Sequence, residues 1–457
     1  MFVIEKQNKR CNEIKCNFKK NFRRVVCECV KKYFHGVYEA DLNVFDALDA
    51  ELTDVVLSAN DARELKKILN IFFLGQIVGL PTLHSILQKY DIGSNNHQIS
   101  YKKLCKRLTI NEISKIYASV FETQVLAVLQ KMSVKDSSCW SRELVTAVLD
   151  DSIFKQWHGS QDPEKSEKDF ERCFGKFFSG QFMSAVYGFK VVTFALCING
   201  ILYPLYFDFV KKTAEGHPKP DKATKVAQKL VEKWGLFLEK AKKKGIILPK
   251  IHFSCDSGYN DVPLSQTCMD NNLVYISVPK KSHIFEIENS EGEIIKMKLS
   301  DWVNNFFLKA ENEHQKTQKT PFIYRFKAHY YTQNREVTLL AFRLKGSKKV
   351  SIIYTTDKNI FAKTLRRHWF QRTYIEQFFK LLKHVLQIQE ARTRAKNDFE
   401  GKLWRFAFIA LHAQKIVAFV RKRVKKFHKC GCITIQRILN DDSDISDLLQ
   451  EFLFTKG

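Results

Sequence analysis

The chain has 457 residues, 45% of them hydrophobic, with 75 Lys and Arg against 49 Asp and Glu, a net charge of +26. That apolar fraction excludes a mainly disordered chain, and the length allows one to three domains with real cores. So large a cationic surplus destabilises a compact fold by self-repulsion unless a polyanion offsets it, and nucleic acid is the first candidate. No unbroken apolar run approaches the roughly 18 residues of a membrane helix, and charges begin at Glu5, which leaves no apolar signal core. The expectation is a cytoplasmic protein with no membrane partner and with its twelve cysteines reduced. Neither the cluster Cys11, Cys16, Cys27 and Cys29 nor the pair Cys430 and Cys432 has the paired CxxC spacing of a zinc site.

In chain order, residues 1–132 read as helical. Ala62 to Phe73 has apolar residues at helical spacing, and Thr82 to Tyr90 follows Pro81 as a second segment. Gly93-Ser94-Asn95-Asn96 is a turn, Ile99 to Leu108 is a short basic helix, and Thr109 with Glu112 forms a capping box. This pattern fits a helix-turn-helix that enters a DNA groove, or an ordinary helical bundle, and spacing does not choose between them.

Near Glu143 the pattern changes to strands. Leu144 to Leu149 is a short apolar run that ends at Asp150-Asp151, and Val186 to Ile198 and Ile201 to Phe209 form a hairpin around Asn199-Gly200. Lys222 to Lys244 is an amphipathic, lysine-rich helix. Ile251 to Cys255 is a strand ending at Asp256, and Leu273 to Val278 is another. A hairpin followed by strand–helix–strand units predicts an α/β fold with a mixed sheet. Ile284 to Ile287, Phe322 to Tyr331, Val337 to Leu344 and Val350 to Tyr354 then suggest an all-β insertion. Trp369 to Ile388 and Leu403 to Phe427 are helices. Phe361 to Cys430 holds eighteen Lys and Arg against four acids, more than half of the net excess, as expected of a tract that faces phosphates.

Phosphodiester transfer needs its attacking and leaving oxygens activated and the charge on phosphorus neutralised. Two divalent ions about 4 Å apart do this when carboxylates on rigid elements hold them. Magnesium is hard and takes oxygen ligands. Asp150 and Asp256 are each placed at the end of a strand, and Glu376 lies on a helix that can pack against the sheet. On that helix Arg372, Glu376, Lys380 and Lys383 fall at i, i+4, i+8 and i+11, one stripe of an unbroken α-helix. The stripe suits a surface where metal meets phosphate, or simply a solvated face of ion pairs.

Three motifs carry a resemblance. Asp150-Asp151-Ser152 follows an apolar strand, Cys255-Asp256-Ser257-Gly258-Tyr259 follows another, and Trp369, Arg372, Glu376 and Lys383 keep the spacing of a Tyr–Arg–Glu–Lys signature. Together they resemble the DDE transposases of bacterial insertion sequences, in the IS-four-like group, over about Leu144 to Ala418. The resemblance implies an RNase H-like catalytic core interrupted by the β-rich insertion and preceded by a helical domain. The implied organisation is 1–132 helical and DNA-binding, 133–282 the first part of the core, 283–357 the insertion and 358–457 the second part with the Glu helix. It implies Asp150, Asp256 and Glu376 as catalytic metal ligands for two magnesium ions, with manganese able to substitute. Trp369, Arg372, Lys380 and Lys383 become DNA-phosphate contacts.

The implied activity is an endonuclease and strand-transfer enzyme of a cut-and-paste insertion sequence. It acts on transposon ends and target DNA, as a dimer on DNA, in a bacterial cytoplasm at the nucleoid; the resemblance allows a hairpin intermediate and does not choose it over other pathways. A nuclease or resolvase on the same fold, or an inactive descendant that only binds DNA, are the alternatives. The sequence departs from the signature at Trp369, where the family has Tyr: the aromatic face stays and the hydroxyl is lost. Asp151 is an alternative ligand to Asp150, since adjacent strand residues face opposite ways. Trp302 is either a base-stacking residue or a buried structural one, and His252, His283 and His329 have no metal-site spacing.

Overall fold

The computed structural model describes residues 24–46, 58–77, 110–133, 144–155, 174–179, 183–211, 222–246, 248, 251–288, 293–318, 322–344, 346–390, 396–423 and 431–433. An α-helical stretch over 24–33 runs into further helical turns from Phe34 to Phe45, then come α1 (Ala59–Ile77) and α2 (Ile110–Ser133). The strands β1 (Val145–Lys155), β2 (Phe174–Ser179), β3 (Ser184–Ile198) and β4 (Ile201–Phe209) precede α3 (Ala223–Lys243). Next are β5 (Ile251–Cys255), α4 (Val262–Asp270), β6 (Leu273–Ser277), β7 (Ile284–Glu288), β8 (Ile294–Lys298) and α5 (Leu308–Thr317). The chain continues with β9 (Ile323–Tyr330), β10 (Arg335–Arg343), β11 (Val350–Thr355), α6 (Ala362–Gln371), α7 (Thr373–Lys380) and α8 (Lys396–Arg423). The expected turn at Gly93–Asn96, the basic helix Ile99–Leu108, the capping residue Thr109 and the tail beyond residue 433 lie outside the described residues.

The chain forms two compact units, residues 125–379 and residues 1–124 with 380–457. The first holds one mixed sheet of order β2-β3-β1-β5-β6-β11-β10-β9-β7-β8, with β4 also paired to β3. β1 is parallel to β5 and β5 to β6, while β3 is antiparallel to both β1 and β4. Val145 to Leu149 are all buried, as a central strand covered on both faces requires. α3 packs on β3 and β4 through Val226, Leu230, Val231, Trp234 and Phe237, at helical spacing. The Asn199-Gly200 turn has φ of 52° and 83°, the left-handed pair that a tight hairpin needs. In β4, Pro204 cannot donate to the ladder, and the register slips by one residue beside it, between Phe194 and Ala195 of β3.

Gly188 marks where β3 passes closest to β1: a Cβ there would lie 2.1 Å from the Phe154 carbonyl oxygen. The three nearest atoms are all backbone of Phe154 and Lys155, which leaves nothing soft to yield. Gly188→Ala is therefore expected to destabilise the protein by about 2 kcal/mol or more, measured by denaturant unfolding. An unchanged midpoint would mean that the strands separate freely at this point.

One sequence expectation changes here. The stretch between β6 and β11 is not all-β: Leu299 to Thr317 is helical, between β8 and β9. Its buried residues Leu299, Trp302, Phe307 and Glu311 are spaced 3, 5 and 4 apart, and a π-turn at Val303–Phe307 absorbs the extra residue, which hides the helical period. The strands of this stretch extend the same sheet, since β11 pairs with β6.

The other unit has an aromatic centre. Tyr38 stacks on Phe73 at 4.6 Å, Phe121 lies 5.7 Å from Trp404, and the fully buried His412 accepts or donates a 2.7 Å hydrogen bond with the Tyr33 hydroxyl. Burial holds the His412 imidazole neutral, far below its usual range, and the nearby Lys415 adds to this. α8 explains its own apolarity: Phe399–Arg423 is long and apolar enough to cross a membrane, yet 78% of that window is buried. Within it Arg405 is buried with its guanidinium 3.6 Å from the Phe72 ring, and Lys415 pairs with Asp41 at 2.6 Å. The basic tract is thus not uniformly displayed to solvent; among its described residues, Arg421, Lys422 and Arg423 at the end of α8 form an exposed cluster.

Candidate active site

Parallel pairing of β1 with β5 ends at Leu149 opposite Cys255. The next residue on each strand is an aspartate, Asp150 and Asp256, so the two carboxylates start from neighbouring strands, roughly 5 Å apart in backbone spacing. β1 does not stop at Asp150 as expected. It runs on to Lys155 because β3 continues to pair with it, and Asp150 sits where β1 parts from β5. After Cys255 the chain makes one 3₁₀ turn, Ser257–Tyr259. Asp256 caps that turn by accepting from the Gly258 N–H, and its carbonyl accepts from the Ser277 hydroxyl at 3.1 Å.

Asp151 points elsewhere. Its carboxylate accepts from the Tyr259 hydroxyl at 2.6 Å and pairs with Lys190 at 3.2 Å. Tyr259 is buried, and its carbonyl accepts from the Tyr275 hydroxyl. The alternation of the strand therefore commits Asp151 to fixing the Asp256 turn and leaves Asp150 beside Asp256.

The third carboxylate arrives on a helix fastened by polar contacts. The His368 imidazole on α6 shares a 2.7 Å hydrogen bond with Thr146 on β1 and stacks on His252 of β5 at 4.0 Å, and Gln371 accepts from the Cys197 thiol of β3 at 2.9 Å. Burial, with His252 and Arg367 beside it, pushes His368 down to about 3, so it packs as a neutral ring. The helix is not continuous through the motif. α6 ends at Gln371, α7 spans Thr373–Lys380, and Leu381–Val385 is a π-turn. The α-helical stripe expected from Arg372 to Lys383 thus does not hold along its length: Lys380 is exposed, Lys383 is half-buried in the π-turn, and both belong to the other compact unit.

Arg372 sits at the break. Its Nη2 lies 2.8 Å from Glu376 Oε1 and its Nη1 3.6 Å from Asp150 Oδ2, so one guanidinium touches two of the three expected carboxylates. Trp369 holds it from behind, with the guanidinium carbon 5.1 Å from the ring centre. Trp369 itself packs against the cluster of Ile276, Leu340, Phe342, Ile353, Ile360 and Leu365. In place of a tyrosine hydroxyl, this position supplies an apolar anchor and a shelf for Arg372.

Burial, with the charges of Asp151 and Asp256, pushes Asp150 up to about 7, against the Asp151 N–H and Arg372, which pull it down. A buried carboxyl that keeps its proton up to about 7 suits a hard divalent cation, which offsets the cost of its charge, and the donors here are all oxygen. Among the described residues, no three carboxylates, histidines or cysteines are grouped as a ready set of ligands. The donor chemistry fits such an ion at Asp150 and Asp256, and Glu376 is engaged by Arg372.

Trp302 is buried and stacks on Phe326 at 4.3 Å, a packing role. His252, His283 and His329 form no metal group among the described residues. Of the described cysteines, five are buried and Cys432 is half-buried. Sequence reading missed the roles of Tyr259, Lys190, Thr146 and His368. Tyr259 stands within the quoted Cys255–Tyr259 motif, but the others are joined only by tertiary pairing and leave no local signal.

The Transposase DDE domain family matches residues 233–411. The matched stretch includes Asp256 and Glu376 and begins after Asp150. No curated protein matches the chain. Among solved structures, the piggyBac transposase synaptic complex with hairpin DNA is similar at 9% identity and a TM-score of 0.40, covering 93% of this chain and 82% of that one.

Proposed function

We propose that the protein is a transposase that cuts and joins DNA strands, with Asp150, Asp256 and Glu376 as ligands of a divalent pair, magnesium in the cell. The observation that carries this reading is the meeting of the first two at neighbouring strand ends, with Glu376 tied to Asp150 through Arg372. The strand order β4-β3-β1-β5-β6, with β1, β5 and β6 parallel, supports an RNase H-like core. The spacing of Trp369, Arg372, Glu376 and Lys383 supports the IS-four-like group.

A divalent pair, when bound, activates the attacking oxygen and neutralises charge on phosphorus and on the leaving oxygen. The chain's own residues do the rest. Asp150 and Asp256 hold the negative charge that attracts the ions, and the Tyr259–Asp151–Lys190 contacts fix the spacing of the two strand ends. Arg372, released from the carboxylates, offers a two-pronged donor to a phosphate of the strand being cut. Residues 1–132 would bind the transposon ends, and a dimer would bring two ends together.

The test incubates the purified protein with magnesium and DNA carrying the sequences that flank its gene. Nicked ends and joined products are expected. Cleavage without joining would favour a nuclease, and neither reaction would reduce the chain to a DNA-binding relic. Neutralising Arg421, Lys422, Arg423, Lys425 and Lys426 should flatten the salt dependence of DNA affinity, by about 0.9 in the logarithmic slope for each phosphate that is no longer neutralised. An unchanged slope would make this cluster an ordinary solvated surface.

A further inference from the structure

We propose that Arg372 is a cation stand-in: its guanidinium locks Asp150 and Glu376 when no divalent ion is bound, and ion and guanidinium exclude one another. The inference rests on reading those carboxylates, with Asp256, as the metal ligands.

Three observations carry it. The guanidinium reaches two carboxylates from separate elements, Asp150 on β1 and Glu376 on α7, as a bridging cation does. Its Nη2 lies 2.8 Å from Glu376 Oε1, so the charge of that carboxylate is already answered by the guanidinium. It is also held loosely on the Asp150 side. The Asp150 contact at 3.6 Å is beyond a good hydrogen bond, and the buried Nε has no hydrogen-bond partner. A buried donor left unpaired costs about 1–3 kcal/mol, so this seat is good enough to hold the arginine and poor enough to surrender it.

Withdrawal needs only side-chain rotation. Trp369 is anchored in the apolar cluster, and its ring face can keep the guanidinium as it swings off the carboxylates. A divalent ion carries twice the charge and binds both carboxylates directly, so it wins the exchange at sufficient concentration. The price is an apparent affinity lowered by the fraction of molecules that are locked.

The test is manganese binding by calorimetry and by electron paramagnetic resonance on the full-length protein without DNA. If about nine molecules in ten are locked, Arg372→Gln should bind manganese about tenfold more tightly than the wild type. Arg372→Lys separates a lock from a mere nearby charge, because an ammonium keeps the charge but cannot span two carboxylates. It should also bind manganese more tightly than the wild type. If Arg372→Gln is no tighter, or if Arg372→Lys equals the wild type, the lock is overturned. Asp256→Asn, which does not touch Arg372, checks the underlying reading: if it leaves wild-type manganese binding intact, the carboxylates are not the ligands at all. Thermal melts of each variant confirm folding, and Arg372 is only partly buried, so Gln and Lys should both be tolerated.

Discussion

Asp150→Asn, Asp256→Asn and Glu376→Gln should each lower the rate of strand cleavage by at least about a thousandfold, roughly 4 kcal/mol of barrier. Each change removes one ligand charge and keeps the shape of the side chain. The loss therefore falls on charge neutralisation at the reacting phosphorus and not on the fold. DNA affinity without metal should hold steady or rise slightly, because a polyanion approaches a site with one negative charge fewer. Pairs of these substitutions should cost little more than one alone, since ligands of one site fail together. The measurement is single-turnover cleavage at saturating protein, with binding followed separately. Any one variant with full activity would remove that residue from the site; variants that lose DNA affinity in parallel would place it in recognition instead.

What the sequence makes legible follows physical locality. Ile201–Phe209 and Ile251–Cys255 stand out because each is an unbroken apolar run bounded by a turn signal or an acid. The lysine-rich α3 stands out because its buried residues keep one period for 21 positions. β2, Phe174–Ser179, is invisible because only its pairing with the first half of β3 makes it a strand. The helix Leu299–Thr317 is masked by its π-turn and by the polar run from Glu311 to Thr317. At the candidate site, the acids and Arg372 are legible from motif spacing. Their arrangement is not, because it depends on the β1–β5 register across about a hundred residues of intervening chain. The interruption of the helix at Arg372 is likewise unreadable. The motif spacing fits a continuous helix, and what departs from one is the long-range contact with Asp150.

Asp150→Asn should do the reverse to stability of what it does to catalysis: the metal-free protein should become more stable above neutral pH. In the unfolded chain this carboxyl ionises near 3.8, whereas in the folded protein burial and the neighbouring acids hold its proton up to about 7. Between those values the folded state binds more protons than the unfolded one, so stability falls as pH rises. The contribution is complete below about pH 4 and gone once pH has passed 7. At about 1.4 kcal/mol per pH unit the ceiling is about 4 kcal/mol. With the side chain still 19% exposed and Arg372 within 3.6 Å, screening brings the expected gain for Asn to about 2 kcal/mol. For a unit of this size that is about 4–8 °C in melting temperature. Melting curves in a chelator from pH 3 to 8 should start nearly together below about pH 4, since protonated Asp and Asn have similar shape and polarity. They should separate between about pH 4 and 7, where the unfolded chain has released the proton that folded Asp150 still holds, and keep a constant gap above. Manganese should then close the gap by stabilising the wild type alone, because only the carboxylate gains from the ion. Parallel curves across the whole range would show that Asp150 carries no such strain and that the crowding of charge in this site is relieved in some other way.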